Sequence, residues 1–388
     1  MDQPQVSVNR RGADRVRNGH LWIYRSDVLE PKGVPAASVV RVTDERGKFI
    51  GQALYSDRSE ITLRFLTTRD ELIDRDWWRD RLRRSARRRQ AYAVNTNAYR
   101  MVYSEGDLLP SLIVDDYNGV LVLQSLSQGM DALQPMLVEL LAEEFSPSAI
   151  IERNDVKVRN LEGLEQRAGV VYGNAPDEIE IDQDGVRFLV SPLGGQKTGS
   201  FLDQRENHLA ARMMAHGRAL DCFTFNGAFA LNIAQKCDTV VGLDISGDAI
   251  AGARRNAALN QAENVEFREA NVFDALREME SAGERFDTIV LDPPAFAKNR
   301  ASVKPATRGY KEINLRALKL LNPGGVLVTC TCSYHMSEGA FITLVEESAR
   351  DAHRRVQLVE KRIQASDHPV LLGMPETYYL KCLVLRVI

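Results

Sequence analysis

The sequence predicts an α/β protein made of three consecutive parts: a β-barrel-like module, a central α+β segment and a C-terminal parallel sheet covered by helices. Short β-rich runs separated by Gly, Pro, Asp and Ser occupy residues 5–70. Residues 100–190 mix such runs with one clear helix, LQPMLVELLAEEF. From about residue 190 onward, strands alternate with helices, which is the pattern of βαβ crossovers in a parallel sheet.

The elements of the first two parts follow from local sequence. The runs VSVN, SVVRVTD, FIGQALY and ITLRFL predict strands, and a turn near Arg11–His20 interrupts them. Residues 71–92 contain no Gly or Pro and predict a helix that connects two domains. Asp-Tyr-Asn-Gly at 116–119 predicts a hairpin turn. We therefore expect domains at residues 1–72, 73–188 and 189–388.

The strands predicted in the last part are ALDCFTF, TVVGLDI, VEFREAN, FDTIVLDPP, GGVLVTCTCS and YYLKCLVLRVI. Ligands of parallel α/β sheets bind outside the carboxyl ends of the strands. The residues that end these strands or directly follow them are therefore the candidates for function.

Composition limits the classes of protein that the chain can belong to. Its 388 residues are 44% hydrophobic and 27% charged, which is typical of a soluble globular protein. The first 20 residues lack the apolar core of a secretion signal, and no run of 18 apolar residues occurs, so we expect a cytoplasmic protein without a membrane partner. Five cysteines without a CxxC pair, away from the six histidines, predict neither a disulfide framework nor a metal site.

Charge is unevenly distributed along the chain. Residues 1–100 carry 21 Lys/Arg against 13 Asp/Glu, whereas the remainder is acidic. Such asymmetry favours contact between the basic part and a polyanion such as nucleic acid. The densest run has seven arginines between Arg79 and Arg89, although it could also be an ordinary solvated helix face. The predicted RNA-binding residues are Arg11, Arg25, Arg83, Arg84, Arg87 and Arg88.

The ends of the first three strands of the last part suggest a nucleoside site. Gly227 follows the first strand, where a glycine lets backbone amides approach a ligand, but no G-x-G-x-x-G motif accompanies it. Asp244 ends the second strand, where a carboxylate can bond both ribose hydroxyls. Asn271 and Val272 end the third, where they could bond and pack against adenine. This set suits S-adenosylmethionine better than NAD, although Asp244 and Asn271 could instead only cap the helices that follow.

The ends of the fourth and fifth strands suggest chemistry on a planar base. Asp292 precedes Pro293-Pro294, which stiffens the loop and fixes the direction of the carboxylate. That carboxylate can accept a hydrogen bond from an exocyclic amine or share a proton with a ring nitrogen. Cys332 ends the fifth strand, and a thiolate there could add to C6 of cytosine and so activate C5 for methylation. Cys330 is predicted to be an inert buried residue.

At these residues the chain resembles the bacterial RlmI-type large-subunit ribosomal RNA cytosine-C5 methyltransferases. That family has an N-terminal PUA domain, a central α/β domain and a C-terminal Rossmann-like, class I methyltransferase domain. The resemblance extends almost end to end. The segments that carry it are Gly19–Ile23, Ser59–Ile61 with Arg64, Glu105–Pro110, Leu112–Asp115, Gly195–Arg205, Asp292–Phe296, Arg308–Lys311 with Asn314, Thr331–Ser333 and Asp367–Pro369.

The resemblance implies Cys332 as nucleophile and Asp292 as the residue that handles the base. It also implies that the segment from Lys197 to Phe201 covers the methionine end of the cofactor, and that large-subunit ribosomal RNA, before full assembly, is the partner. A homodimer is left open. The predicted cofactor-binding residues are Lys197, Thr198, Phe201, Phe223, Asn226, Gly227, Asp244, Ser246, Asn271, Val272 and Asp292.

Two other functions remain open at this point. A sister methyltransferase acting on a purine, such as guanine N7, would share the Asp-Pro-Pro context but would not need Cys332. A noncatalytic RNA-binding assembly factor would need neither. Retention of Asp244, Asp292 and Cys332 together favours the cytosine enzyme. Pro294 stands where other cytosine-C5 enzymes carry a second cysteine, so the base that removes the C5 proton is not identified.

Overall fold

The computed structural model describes residues 3–29, 31, 33–194, 198–296 and 303–388. Contacts among these residues divide the chain into two compact units. The first unit comprises residues 1–182, 190–202 and 366–377, and the second comprises residues 183–189, 203–365 and 378–388. The chain therefore enters the second unit at residues 183–189, returns to the first unit at residues 190–202, and enters the second unit again at residue 203.

The N-terminal sheet of the first unit has five strands in the order β1-β3-β4-β5-β2. The strands are β1 (Gln5–Val8), β2 (Trp22–Tyr24), β3 (Val39–Asp44), β4 (Phe49–Tyr55) and β5 (Ile61–Thr67). An eight-residue helix, α1 (Arg10–Arg17), stands where the sequence predicted only a turn. The helix forms because the side chain of Asn9 caps it, accepting a hydrogen bond from the amide of Gly12 at 2.9 Å.

The predicted connecting helix is shorter than expected. This helix, α2, runs over Arg75–Arg89, and Asp74 begins it by accepting a hydrogen bond from the amide of Trp77 at 2.9 Å. Trp78 and Leu82 are fully buried against the central sheet, so the helix is part of the hydrophobic core of the first unit and not a free linker.

The central sheet has five strands in the order β10-β9-β8-β7-β6, with one long helix, α3 (Gln128–Phe145). Asn118 and Gly119 both have positive φ, 52° and 84°, and form the predicted two-residue hairpin turn. Two further strands, β11 (Ile179–Gln183) and β12 (Val186–Val190), form a separate two-stranded sheet. The strands of the central sheet are β6 (Ala98–Tyr103), β7 (Leu112–Tyr117), β8 (Val120–Ser125), β9 (Ala149–Arg153) and β10 (Ala168–Gly173).

The second unit is built on a seven-stranded sheet in the order β15-β14-β13-β16-β17-β19-β18. Its strands are β13 (Arg218–Cys222), β14 (Thr239–Asp244), β15 (Val265–Glu269), β16 (Phe286–Leu291), β17 (Leu321–Thr331), β18 (Val356–Arg362) and β19 (Lys381–Val387). The helices are α4 (Arg205–Met214), α5 (Ala228–Ala234), α6 (Gly247–Leu259), α7 (Val272–Ser281), α8 (Val303–Leu320) and α9 (Glu338–Asp351). Within the described residues, no helix is long and apolar enough to cross a membrane.

This sheet differs from the expected all-parallel one at its far edge. The pairs that join β13 to β14, β16 and, through β16, to β17 are parallel, but β19 is antiparallel to both β17 and β18. The sequence did not predict β18, because its residues VQLVEKR are mostly exposed on an edge strand and lack the apolar run of a buried strand.

A buried ion pair joins the N-terminal sheet to the central part of the first unit. Arg64 on β5 donates to Glu162 at 2.6 Å, and their side chains are 7% and 1% exposed. The same carboxylate accepts a hydrogen bond from the hydroxyl of Ser56 at 2.6 Å. A buried carboxylate that loses its cation keeps its desolvation cost.

We predict that Arg64→Met lowers the free energy of unfolding by about 3–5 kcal/mol, because it leaves Glu162 buried without a cation. Arg84→Met is the matched control: Arg84 pairs with Asp80, but both side chains are more than half exposed, at 62% and 53%. Its cost should be below about 1 kcal/mol. Denaturant unfolding of the two variants measures the difference, and equal losses would contradict the prediction.

Candidate functional site

The candidate residues of the second unit meet at one edge of its sheet. In the parallel pairs, Cys222 lies opposite Leu243 on one side and Leu291 on the other, and Leu291 lies opposite Thr329. The carboxyl ends of β13, β14, β16 and β17 are therefore adjacent. The residues that end these strands or follow them are brought to this edge, as predicted from their positions in the sequence. We call this the carboxyl edge.

The loop after β13 has an unusual backbone. Phe223, Phe225 and Gly227 all have positive φ, at 66°, 50° and 86°. A Cβ added to Gly227 would lie 2.8 Å from the ring of Phe267. The left-handed backbone and the packing of this ring are sufficient to require glycine here, in addition to the predicted reason of close approach to a ligand.

The side chain of Asp244 bonds to the loop after β13 and to the loop that follows β14. One carboxylate oxygen accepts a hydrogen bond from the amide of Phe225 at 2.9 Å, and the other accepts from the amide of Ser246 at 3.0 Å. The hydroxyl of Ser246 in turn accepts from the amide of Ala249 at 3.2 Å and caps α6. The side chain of Asp244 is half-buried at the carboxyl edge, and each carboxylate oxygen keeps a further lone pair.

The predicted adenine-side residues have local structural roles. Asn271 is exposed, and its side chain accepts a hydrogen bond from the amide of Phe273 at 3.0 Å, so it caps α7 as the alternative interpretation suggested. Val272 is 3% exposed and packs in the core. Asn226 accepts a hydrogen bond through its backbone carbonyl from the side chain of Asn256 at 2.9 Å.

Asp221 is a buried carboxyl group that the sequence did not single out as a site residue. It lies at the end of β13 and is fully buried. One of its oxygens accepts hydrogen bonds from the hydroxyl of Thr224 at 2.6 Å and from the amide of Ala230 at 2.9 Å. Its other oxygen has no hydrogen-bond partner among the described residues. Burial, reinforced by the negative charges of Asp292 and Asp244, raises the pKa of Asp221 to about 7.

Asp292 is oriented by a second residue that sequence reasoning missed. The side-chain amide of Gln204 donates to Asp292 at 2.8 Å. The carbonyl oxygen of the same amide accepts a hydrogen bond from Asn207 at 2.7 Å, which fixes which end of Gln204 faces the carboxylate. Gln204 is 3% exposed, whereas Asp292 is half-buried. The predicted stiff loop is therefore supported by a hydrogen bond from outside the Asp-Pro-Pro motif.

Cys332 directly follows β17, and it is the one cysteine of the five that is not buried. Cys330 is fully buried opposite Cys382 in the antiparallel β17–β19 pair. Burial raises the pKa of the Cys330 thiol well above its ordinary value. Cys222 and Cys237 are buried too, so the structure separates Cys332 from the four other thiols by exposure.

Aromatic rings form a wall beside the cysteine. The ring of Phe296 lies 4.7 Å from that of Tyr310 and 6.0 Å from that of Phe273, and Phe223 lies 6.3 Å from Phe296. The hydroxyl of Tyr310 is within 3.0 Å of the hydroxyl of Ser333, the residue after Cys332. Such a wall can pack against the face of a planar group.

The predicted residues for the methionine end lie in a different part of the chain. Lys197 falls outside the described residues. Thr198 is buried in the first unit, where its hydroxyl donates to Asp115 at 2.5 Å and lies 3.1 Å from the hydroxyl of Tyr117. Phe201 is half-buried in the same unit. The hydroxyl of Thr198 is therefore engaged in a network of the first unit.

The predicted RNA-binding arginines differ in how far carboxylates neutralise them. Arg83 pairs with Glu144 of α3 at 2.5 Å, Arg84 with Asp80 at 2.8 Å and Arg88 with Asp107 at 2.7 Å. Nearer the N-terminus, Arg11 pairs with Asp27 at 2.5 Å and Arg25 with Glu60 at 3.7 Å. Arg87 is exposed and forms no ion pair with any described residue. Much of the arginine run is thus balanced within the first unit.

Asp221 makes stability depend on pH. The unfolded chain titrates this carboxyl near its ordinary value of 3.8 and the folded chain near 7, so the folded chain holds an extra proton between these pH values. The contribution of Asp221 to the free energy of unfolding therefore falls as pH rises through this range, by up to about 1.4 kcal/mol per pH unit. Asp221→Asn keeps an acceptor for Thr224 and Ala230 but cannot ionise.

We predict that the stability of Asp221→Asn relative to wild type increases as pH is raised from about 4 to about 7 and then becomes constant. Denaturant unfolding of both proteins across this range measures it. The buried His208, whose pKa burial lowers to about 3, is common to both proteins and cancels in the difference. A difference that does not change with pH would show that Asp221 is not protonated in the folded chain.

Family models match the N-terminal and C-terminal parts of this chain, and known proteins match about 95% of its length. A family described as a PUA-like domain matches residues 6–68, and one described as a methyltransferase domain matches residues 214–371. The ribosomal RNA large subunit methyltransferase I of Tolumonas auensis is 41% identical over 379 residues, which are 95% of this chain and 96% of that protein. The protein of the same name from Shewanella amazonensis is 40% identical, with 95% of each chain covered.

Two solved structures share the whole fold. One, described as a methyltransferase complexed with SAH, has a TM-score of 0.85 at 19% identity and covers 99% of this chain and 100% of its own. The other, a SAM-dependent methyltransferase from Streptococcus mutans, has a TM-score of 0.83 at 19% identity with the same coverage. These likenesses confirm the predicted arrangement of an N-terminal PUA-like domain and a C-terminal methyltransferase fold. With about 40% identity along 95% of its length, the chain belongs to the family of the ribosomal RNA large subunit methyltransferases I.

Proposed function

We propose that this protein is an S-adenosylmethionine-dependent methyltransferase that forms 5-methylcytosine in large-subunit ribosomal RNA through a covalent adduct of Cys332. The substrate class follows the name that its relatives carry, ribosomal RNA large subunit methyltransferase I. The finer chemistry rests on one observation: the single unburied cysteine follows β17, and β17 pairs with β16, which Asp292 directly follows.

The charge of the carboxyl edge suits this cofactor. Asp221, Asp244 and Asp292 lie at or directly after the ends of the adjacent strands β13, β14 and β16, and the negative charges of Asp292 and Asp244 contribute to the raised pKa of Asp221. S-adenosylmethionine carries a positive sulfonium and an ammonium, which such a cluster attracts, whereas the pyrophosphate of a dinucleotide would be repelled. The unpartnered oxygen of Asp221 offers a further acceptor. When bound, the cofactor supplies an electrophilic methyl group.

Cytosine needs activation because C5 is a poor nucleophile. The thiolate of Cys332 forms a bond to C6, which breaks the C5–C6 double bond and moves its electron pair to C4–C5, giving an enamine whose C5 can take the methyl group. The C5 proton is then lost to a base and the thiolate leaves, which restores the double bond. Asp292, oriented by Gln204, accepts a hydrogen bond from the exocyclic amine or shares a proton with the ring nitrogen beside it.

A trapping experiment tests the role of Cys332. RNA with fluorine at C5 of the target cytosine cannot lose a proton there after methylation, so it should remain attached to the enzyme and form a band stable to denaturing electrophoresis. Cys332→Ala should abolish this band and turnover. Cys330→Ala is the matched control, since it changes a buried thiol of the same strand and should retain activity with a stability loss of about 1 kcal/mol.

The purine alternative predicts the opposite result. If Cys332→Ala still methylates RNA, no thiol is required, and Asp292 would then position a ring that needs no covalent activation.

The basic first part is the proposed RNA-binding surface. The six predicted arginines lie in the part matched by the PUA-like family and in α2, which follows it. Phosphate contacts contribute to affinity in proportion to the charge that the protein can offer. The unpaired Arg87 should therefore contribute more than Arg83, whose charge Glu144 offsets.

We predict that Arg87→Ala weakens RNA binding severalfold and lowers the salt dependence of the binding constant by roughly 0.7–0.9 on logarithmic axes, as expected for one lost phosphate contact. Arg83→Ala, one helical turn away, should weaken binding less. Filter binding at several salt concentrations distinguishes the two variants. No loss in either variant would exclude this face of α2 from the RNA interface, and equal losses would show that the ion pair with Glu144 does not reduce the contribution of Arg83.

A further inference from the structure

A buried lysine lies against the segment that carries Cys332. Lys381 begins β19, and its backbone pairs with Thr331, the residue immediately before Cys332. Its side chain turns inward and is 3% exposed. The ammonium donates hydrogen bonds to the carbonyl oxygen of Tyr379 at 3.2 Å and to that of Ser333, immediately after Cys332, at 3.4 Å. Lys381 thus contacts the chain on both sides of the cysteine.

This lysine has no carboxylate partner in the part of the chain that the structure describes. Among the described residues, no Asp or Glu forms an ion pair with it. The nearby Glu338 is bonded instead by Lys361 at 2.7 Å and by the hydroxyl of Tyr378 at 2.9 Å. The ammonium lies 5.0 Å from the centre of the Tyr378 ring, which gives it a weak cation–π contact. Burial lowers the pKa of Lys381, and the negative charges of Cys332 and Glu338 act in the opposite direction.

A buried ammonium without a counter-charge is costly, so a negative charge that forms close to Lys381 would favour its charged form. A thiolate of Cys332 would be such a charge, since Cys332 follows Thr331, which pairs with the lysine, whereas the four other thiols are buried. Pairing would favour the two charges together and would keep Cys332 reactive at neutral pH.

We propose that Lys381 is the counter-cation of the Cys332 thiolate. By stabilising the thiolate, it activates this cysteine as the nucleophile that adds to the pyrimidine ring. The pairing of the two residues concerns the free enzyme, whereas the use of the thiolate against cytosine rests on the proposed function. Lys381 acts through Cys332 and touches no reacting atom of the base, so it is a positioning residue.

Other groups around the cysteine do not replace the lysine. Tyr310 of α8 contacts Ser333, and burial raises the pKa of its phenol, so it is neutral at physiological pH. Asp292, at the end of the neighbouring strand, is negative and disfavours a thiolate. Glu338 of α9 is also negative, and Lys361 lowers its pKa. The surrounding charges that these elements supply therefore oppose the thiolate, and Lys381 is what offsets them.

The test measures thiolate formation without RNA or cofactor. The full-length protein is treated with iodoacetamide across a pH series, and alkylation of the peptide that contains Cys332 is followed by mass spectrometry. In Lys381→Met, a neutral side chain of similar length, the pH midpoint of alkylation should rise by about one unit, and reactivity near neutral pH should fall about tenfold. The matched control is Lys236→Met, which removes an exposed lysine that forms no ion pair with any described residue and should leave the midpoint unchanged. An unchanged midpoint in folded Lys381→Met would overturn the proposal.

A second measurement does not depend on the folding of that variant. Thiolate absorbance of the wild-type protein near 240 nm should show one step with a midpoint below the ordinary thiol value of about 8.5, and Cys332→Ala should remove it. A step at or above that value would overturn the pairing.

The two proposals fail separately. A shifted midpoint in Lys381→Met without trapping of fluorocytosine RNA supports the pairing and contradicts the cytosine chemistry. Trapping by the wild-type enzyme together with an unshifted midpoint supports the chemistry and removes Lys381 from it.

Discussion

Parallel pairing of β13, β14, β16 and β17 is the constraint on which the site depends. Because the strands run in the same direction and their last residues are in register, side chains far apart in sequence reach one edge. The loops that leave this edge need no further device to bring Asp244, Asp292 and Cys332 together. The antiparallel β19 completes the arrangement, since its first residue, Lys381, is in register with the end of β17.

Charge at this edge is divided between acidic and basic sides. Asp221 and Asp244 lie at the ends of β13 and β14, and Asp292 directly follows β16. Asp221 is so enclosed that its pKa rises to about 7. A buried lysine stands at the other side, behind Cys332. In the proposed reaction the acidic side attracts a cationic methyl donor, and the basic side favours an anionic nucleophile. The register of the strands therefore places the proposed site of the methyl donor and the proposed nucleophile, Cys332, at different strands of the same edge.

The sequence was sufficient to predict the residues whose role depends on their position along a strand. Asp244, Asp292 and Cys332 end strands that are recognisable as apolar runs, and parallel sheets place such ends together. The hairpin at Asn118-Gly119 was equally predictable, because its φ angles require those residue types. The strand β18 was missed because an exposed edge strand has no apolar run.

Residues that act through distant partners could not be predicted in this way. Gln204 lies within the Gly195–Arg205 segment and Lys381 within a predicted strand, but no local pattern assigns either side chain a role. Gln204 contacts Asp292, 88 residues away, and Lys381 contacts the segment at Cys332, about 50 residues away. The arginine run of α2 was predicted to bind nucleic acid from its charge alone. Its pairing with glutamates of α3, some 60 residues further on, became visible only in the folded chain. Local sequence patterns thus predict the helices and strands and where they end. Which charged side chains form ion pairs depends on tertiary contacts, which these patterns do not show.

The most direct test of the proposed chemistry is to identify the nucleoside that the enzyme makes. Purified protein is incubated with large-subunit ribosomal RNA and S-adenosylmethionine labelled with tritium in its methyl group, and the RNA is then digested to nucleosides and separated. If Cys332 activates a cytosine at the carboxyl edge, the label should be found in 5-methylcytidine. Label in a methylated guanosine would contradict this chemistry.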